Sequence, residues 1–176
     1  MSELIFAIII IVVLTFAVAG YMAAPWLPTR RRERKILLEK VNVQDESIVY
    51  DLGCGDGSVL FDFAKTYKKT TFIGFEISLL PYCIAKLRKL FNYKKYKNVK
   101  IKYRNLFTQP LNDADIVFVF LLSKSYKKLY KKFSSELKPD CLVIVEAWPI
   151  DGILPITSFR QKDSLPIYVY KGSRFT

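Results

Sequence analysis

Three glycines alternate behind an acid in YDLGCGDG, residues 50–57: Asp51, then Gly53, Gly55 and Gly57. A second acid, Glu76, closes the next apolar run, 25 residues after Asp51. Glycine turns sharply and leaves no β-carbon in the way of a ligand approaching the backbone. The helix predicted to follow offers free N–H groups and the positive end of its dipole, suited to a carboxylate. An acid at the end of the second strand accepts hydrogen bonds from ribose hydroxyls, which indicates a nucleoside but not which one. A dinucleotide fingerprint would read GxGxxG and put its third small residue at Ser58; here the glycines run GxGxG with an acid ahead of them.

Other chemistries are excluded by what the chain lacks. There is no histidine, so a Ser-His-Asp triad, a Cys-His pair and a His-based zinc site are all ruled out. Cys54, Cys83 and Cys141 are scattered and odd in number, which suits a reducing compartment rather than a disulfide framework. Lys and Arg total 28 against 16 Asp and Glu, a net charge of +12. Such an excess favours an anionic neighbour, phospholipid headgroups or nucleic acid, and also serves solubility.

The elements that must position these groups follow from hydropathy. Apolar strand candidates are Ser47–Leu52, Thr71–Glu76, Val99–Arg104, Asp115–Leu122 and Cys141–Trp148. Helix candidates Val59–Tyr67, Leu79–Phe91 and Ser125–Leu137 lie between them. Continuous apolar runs joined by helical crossovers read as buried parallel strands, hence an α/β doubly wound, Rossmann-like sheet. TSFRQ and PIYVYKG near the end are expected to form a terminal antiparallel pair.

Ahead of this lies a segment of a different kind. From Leu4 to Thr29 no residue is charged, and Leu4 to Ala24 is almost wholly aliphatic or aromatic. As a helix it reaches about 31 Å, enough for a hydrocarbon core of about 30 Å. Pro25 and Pro28 are expected to end it, with Tyr21 and Trp26 as interfacial aromatics. Arg30, Arg31, Arg32, Arg34 and Lys35 follow. The reading is a single-pass membrane anchor with the rest of the chain on the cytoplasmic side. The rival is a cleaved signal peptide with AVAG as its processing site, but it lacks a positive n-region. The expected division is an anchor over 1–28, a basic juxtamembrane helix or linker over 29–46, and a catalytic domain over 47–176.

The order strand, Asp51, GxGxG, helix, strand, Glu76 resembles the seven-strand S-adenosylmethionine-dependent methyltransferases. A closer resemblance rests on APWLPT (24–29), YDLGCGDG, IGFEISLLPY (73–82), RNLF (104–107) and EAWPIDGILP (146–155). Together these are similar to the membrane-anchored protein-lysine methyltransferases that act on the ATP synthase c subunit or the adenine nucleotide translocase. That resemblance implies a mostly parallel seven-strand sheet, S-adenosylmethionine as cofactor and a lysine of a membrane protein as acceptor.

It also implies roles. Gly53, Cys54, Gly55 and Gly57 wrap the methionine part of the cofactor, and Asp51 holds the loop and, through it or water, the ammonium. Glu76, with Ile77, takes the ribose hydroxyls, and Asn105 with Leu106 takes the adenine edge. The family usually carries Asp where this chain has Asn105; Asn donates as well as accepts, so adenine contact survives. From their place after the fifth strand, Glu146, or a tyrosine in its stead, is expected to relay the lysine proton, and Trp148 to wall the acceptor channel, since aromatic faces attract cations. Trp148 has an alternative as a sheet-edge core residue, and Asn105 as an ordinary loop amide. The Lys/Tyr stretch 92–104 reads either as an RNA-binding surface or, preferably, as a solvated helix end facing anionic lipid. An RNA or small-molecule methyltransferase, and a non-catalytic membrane scaffold, are the competing functions. No metal is expected.

Overall fold

The five apolar runs form the parallel part of one twisted sheet. In the computed structural model, which describes residues 2–22 and 27–175, the strands are β1 (Ile48–Leu52), β2 (Thr71–Glu76), β3 (Val99–Tyr103), β4 (Ile116–Val119) and β5 (Leu142–Glu146). The helices are α1 (Ser2–Met22), α2 (Arg31–Lys40), α3 (Ser58–Thr66), α4 (Leu79–Phe91) and α5 (Tyr126–Glu136). β6 (Thr157–Phe159) and β7 (Ile167–Lys171) complete a seven-stranded sheet in the order β3-β2-β1-β4-β5-β7-β6. The expected terminal antiparallel pair forms, and β7 inserts between β5 and β6, antiparallel to both.

Side chains alternate across the sheet as the strand period of two requires. Val49, Phe72, Val99, Phe118 and Ile144 pack on one face with Ile36 and Leu37 of α2 and Leu60 and Phe63 of α3. Leu52, Phe75, Val117, Val119 and Val145 pack on the other with Leu129 and Phe133 of α5, and with Tyr170 and Phe175. Asp51 stands two residues beyond Val49, and Glu146 two beyond Ile144. Both acids are therefore on the face covered by α2 and α3.

α2 is part of this core. Glu33 is fully buried and accepts from Arg30 Nη2 at 2.6 Å and from the Leu165 N–H at 3.0 Å. Arg34 donates to Asp62 of α3 at 2.7 Å and to the Thr29 carbonyl oxygen at 2.6 Å. The stretch expected to join a membrane to the domain is thus fastened to the domain at both flanks.

α1 is helical over 21 residues. Its described side chains are those of residues 3–18 and Tyr21; the run 3–18 is apolar apart from Glu3 and Thr15 and covers about 24 Å at 1.5 Å per residue. Among the described residues, no helix is long and apolar enough to cross a membrane. The expected span over Leu4–Ala24 is therefore not established here; Pro25 and Trp26, its expected stop and interfacial aromatic, lie outside the described residues. α1 packs against the start of α4, where Thr15 Oγ1 accepts from the Leu79 N–H at 3.3 Å.

Candidate functional site

The strand order reverses between β1 and β4, which is where open α/β sheets form a crevice beyond the carboxyl ends of their strands. A cleft of about 780 Å³, counting the solvent at its mouth, occupies that place. Its floor is Asp51 and the loop 53–56. One wall is Phe75, Glu76, Ile77 and Ser78, and another is Arg104 to Phe107. Phe120 and Leu121 follow β4, and Leu27, Pro28 and Thr29 come from the segment ahead of α2.

The loop is shaped by its glycines. Gly53, Gly55 and Gly57 have φ of 85°, 53° and 73°, a region that side-chain-bearing residues rarely adopt. Gly53 and Cys54 donate their N–H groups to the Phe75 carbonyl oxygen at 2.9 and 3.0 Å, folding the loop against the end of β2. Gly57 caps α3 and does not itself line the cleft. Gly74 of β2 admits the Cys54 side chain, because a β-carbon there would stand 2.5 Å from Cys54 Sγ.

Glu76 is the fastening point of two loops. Its Oε2 accepts from the Gly55 N–H at 2.9 Å, and its Oε1 accepts from Ile77 and Ser78 at 2.9 and 2.6 Å. It is buried, not a solvated strand end. A carboxylate offers about four acceptor positions, so capacity remains for a hydroxyl.

Asp51 and Glu146 are treated differently. Burial first, then the charges of Glu76, Glu146 and Asp56, push the Asp51 carboxyl up to about 8. Burial raises Glu146 to about 7, against a lowering hydrogen bond from Thr29. Thr29 Oγ1 donates to Glu146 Oε2 at 2.8 Å, across 117 residues of chain. Glu146 Oε1 is buried with no partner among the described residues. It lines a smaller pocket of about 260 Å³ that adjoins the cleft and shares Thr29, Asp51, Val59 and Phe120 with it.

Asn105 lines the cleft, and its Oδ1 accepts from the Phe107 N–H at 3.0 Å, capping a short helical turn. That bond assigns the amide orientation and leaves Nδ2 as the donor. Asp56 accepts from the Ser58 N–H and hydroxyl at 3.1 and 2.8 Å and pairs with Arg88 of α4 at 3.0 Å.

Of the residues singled out from sequence, Asp51, Gly53, Cys54, Gly55, Glu76, Ile77, Asn105 and Leu106 meet in the cleft, and Glu146 sits just behind it. Trp148 lines neither space and is 43% exposed. Ala147 takes φ 77° and donates its N–H to the Pro166 carbonyl oxygen at 2.8 Å, so the chain turns away directly after Glu146. Thr29, Ser78, Phe120 and Leu121 were not foreseen. The proline-flanked block ending at Thr29 was the one available signal. Among the described residues no cluster suits a metal ion.

A cation bearing a nucleoside fits this arrangement. Asp51, Asp56 and Glu76 line the cleft against one cation, Arg104, and a buried carboxylate oxygen behind them lacks a donor. A pyrophosphate would meet those acids with like charge.

The ANTKMT methyltransferase domain matches residues 51–157, more than half of the chain. A protein-lysine N-methyltransferase of Saccharolobus islandicus is 30% identical over 151 residues, 83% of this chain and 92% of that protein. (S)-coclaurine N-methyltransferase of Papaver somniferum is 32% identical over 117 residues, 63% of this chain and 32% of the relative. Among solved structures, an RNA methyltransferase from Salinibacter ruber in complex with S-adenosyl-L-homocysteine superposes with a TM-score of 0.75 at 22% identity. It covers 82% of this chain and 93% of its own, a likeness of fold.

Proposed function

The chain belongs to the ANTKMT methyltransferase domain family and is an S-adenosylmethionine-dependent methyltransferase, and we propose that its acceptor is a lysine side chain of a membrane protein. The observation that carries the cofactor end is the excess of buried carboxylate around the glycine loop, which suits a ligand with a sulfonium and an ammonium. The acceptor end is supported by similarity to the protein-lysine N-methyltransferase of Saccharolobus islandicus.

When bound, the cofactor supplies a methyl group already activated on positively charged sulfur. The chain's own residues position and exclude water. Glu76 would hold a ribose hydroxyl with its remaining acceptor capacity, the Gly53–Gly55 backbone and Asp51 would face the amino acid end, and Asn105 would donate to the adenine edge.

A lysine acceptor must arrive neutral, because an ammonium has no free lone pair. Its unperturbed pKa is about 10.4, so the cleft must favour the loss of a proton. Burial and a nearby sulfonium both act in that direction. Thr29 lines the cleft and is hydrogen-bonded to Glu146, whose carboxyl titrates at about 7. A proton accepted at Thr29 Oγ1 as its own passes to Glu146 Oε2 leaves the acceptor uncharged. Glu146 thus acts through Thr29, and Trp148, which lines neither space, is given no role in this relay.

The membrane location is part of the proposal. The apolar described face of α1 and the cations from Arg30 onward support an anchor, with the catalytic domain on the cytoplasmic side and anionic lipid as a neighbour. Anchoring raises the effective concentration of membrane-bound acceptors. The test is to incubate washed membranes from the source organism with the full-length enzyme and methyl-labelled cofactor. Label is expected on lysine of a membrane protein; label confined to lipid, RNA or small amines overturns the reading.

A further inference from the structure

α4 begins three residues after Glu76, the last residue of β2 and part of the cleft wall, and its two sides differ sharply. Pro81 and Ala85 are buried against the sheet. Leu80, Leu87, Leu90 and Phe91 are 42%, 52%, 67% and 81% exposed, and Cys83 is exposed with them. At about 100° per residue these five positions fall within roughly a third of the helix circumference, one stripe pointing outward. Isolated exposed leucines are ordinary, but a continuous helical stripe is an interaction face.

The surroundings of the stripe say what covers it. From Leu79 to Asn98 there is no acid, and there are six cations: Lys86, Arg88, Lys89, Lys94, Lys95 and Lys97. Arg88 is committed to Asp56, whereas Lys86, Lys94, Lys95 and Lys97 are exposed. Burial and the charges of Lys86 and Lys100 push the Lys89 ammonium down, a sign of cations crowded without counter-charge. A second copy of the chain meeting this face would set such cations against each other. Continuity points the same way: α1 packs on the start of α4, and its exposed Leu14 and Val18 extend the apolar surface. A helix with an apolar stripe and lysine flanks lies in the plane of an anionic bilayer, its lysines attracted to the phosphates.

We propose that α4 is a membrane-docking helix, its stripe Leu80, Cys83, Leu87, Leu90 and Phe91 seated at the boundary of headgroups and acyl chains of an anionic bilayer. Lys86, Lys94, Lys95 and Lys97 lie against the phosphates. Because α4 starts at the cleft wall, docking holds the mouth of the site at the membrane surface. The lysines it reaches are then those at the headgroup level of a membrane protein; this consequence, unlike the docking itself, rests on the function proposed above.

Cys83 supplies the probe. Cys54 and Cys141 are buried, so a thiol-reactive environment-sensitive fluorophore on the native full-length chain reports from the stripe. The labelled protein is reconstituted in phosphatidylcholine vesicles with and without phosphatidylglycerol. With the anionic lipid, the emission is expected to shift to the blue and to be quenched by lipids brominated near the headgroup. Leu87→Ser together with Phe91→Ser should abolish the shift while leaving thermal unfolding unchanged, since both side chains point outward. A label that stays aqueous while the protein remains vesicle-bound overturns the proposal. So does shielding that persists without lipid and comes with energy transfer between labels, which would identify a second copy. Retention in vesicles after alkaline extraction reports on α1 separately, and methyl transfer reports on the reaction.

Discussion

The cleft and the outer face of α4 lie a few residues apart and carry opposite charge. Inside, Asp51 and Glu76, with Glu146 behind them, are buried, and Asp56 beside them is paired with Arg88. Outside, Lys86, Lys94, Lys95 and Lys97 are solvated and lie beside exposed leucines. The two regions teach that net charge describes neither. A protein of +12 keeps an acid-lined pocket, in which burial and mutual repulsion hold a proton on Asp51 until a cation displaces it, while dispersed surface lysines are screened beyond about 10 Å. Each region stores repulsion that a partner of opposite sign relieves: a cation in the cleft, an anionic surface at α4.

The largest effect is expected from neutralising the floor of the cleft. Asp51→Asn should lower kcat/KM about a hundredfold or more, of the order seen when a preorganised electrostatic contact is removed. It should also stabilise the protein without cofactor. Asp51 binds its proton more tightly folded, at about 8, than its ordinary 3.8, and Glu146 does so at about 7 against 4.5. Between about pH 4 and 8 the native state therefore holds more protons than the unfolded chain, and stability falls as pH rises. Thermal unfolding of the wild type should shift upward on acidification from pH 8 to 5, and much of that slope should vanish in the variant. An unchanged slope would break the account of the cleft.

Reversing the outer charge tests the other region. Lys94→Glu, Lys95→Glu and Lys97→Glu together should weaken binding to anionic vesicles by tens-fold at low salt, with the loss shrinking as salt rises. Cofactor affinity, measured by calorimetry, should not move; if it does, the two regions are not independent.

A smaller effect is expected at the link between the N-terminal segment and the site. Thr29→Val removes the donor that holds Glu146 down, so its pKa rises further. The acid limb of the pH–rate profile should move upward, with kcat at neutral pH down about tenfold, less than the roughly hundredfold or more of a whole proton-transfer group because Glu146 itself remains. Thr29→Ser should restore both. A Thr29→Val enzyme with lower activity but an unshifted limb would leave Thr29 a packing residue.

The smallest change is at Asn105. Asn105→Asp keeps the cap on Phe107 but replaces the Nδ2 donor by an acceptor, which should alter the dissociation constant of the cofactor a few-fold, about one hydrogen bond. Calorimetric titration decides it.

Much of the fold was legible because buried strands announce themselves. Thr71–Glu76 and Leu79–Phe91 were read to the residue, and the other runs to within a few. Short apolar stretches bounded by turns leave little freedom. The place of β7 between β5 and β6 was not legible, since hydropathy gives a strand's faces and not its neighbours. The surroundings of Trp148 were not legible for a similar reason. Its position after β5 suggested the mouth of the site, but the positive φ at Ala147 and the bond to Pro166 turn the chain aside. Exposure on α4 was not legible either: only the burial of Pro81 and Ala85 fixed which side of the helix faces the sheet.

The spacing of Asp51, Gly53, Gly55, Gly57 and Glu76 by itself determined that a backbone loop and a strand-end acid would meet a nucleoside, because steric freedom and strand period are local properties. Only the tertiary structure decided that Thr29 reaches Glu146, that Glu76 ties Gly55 to Ser78, and that Asp51 lies among acids without a counter-ion. Those facts depend on which distant side chains exclude water from one another, and the strength of a charge in a protein is set by that exclusion rather than by its place in the chain.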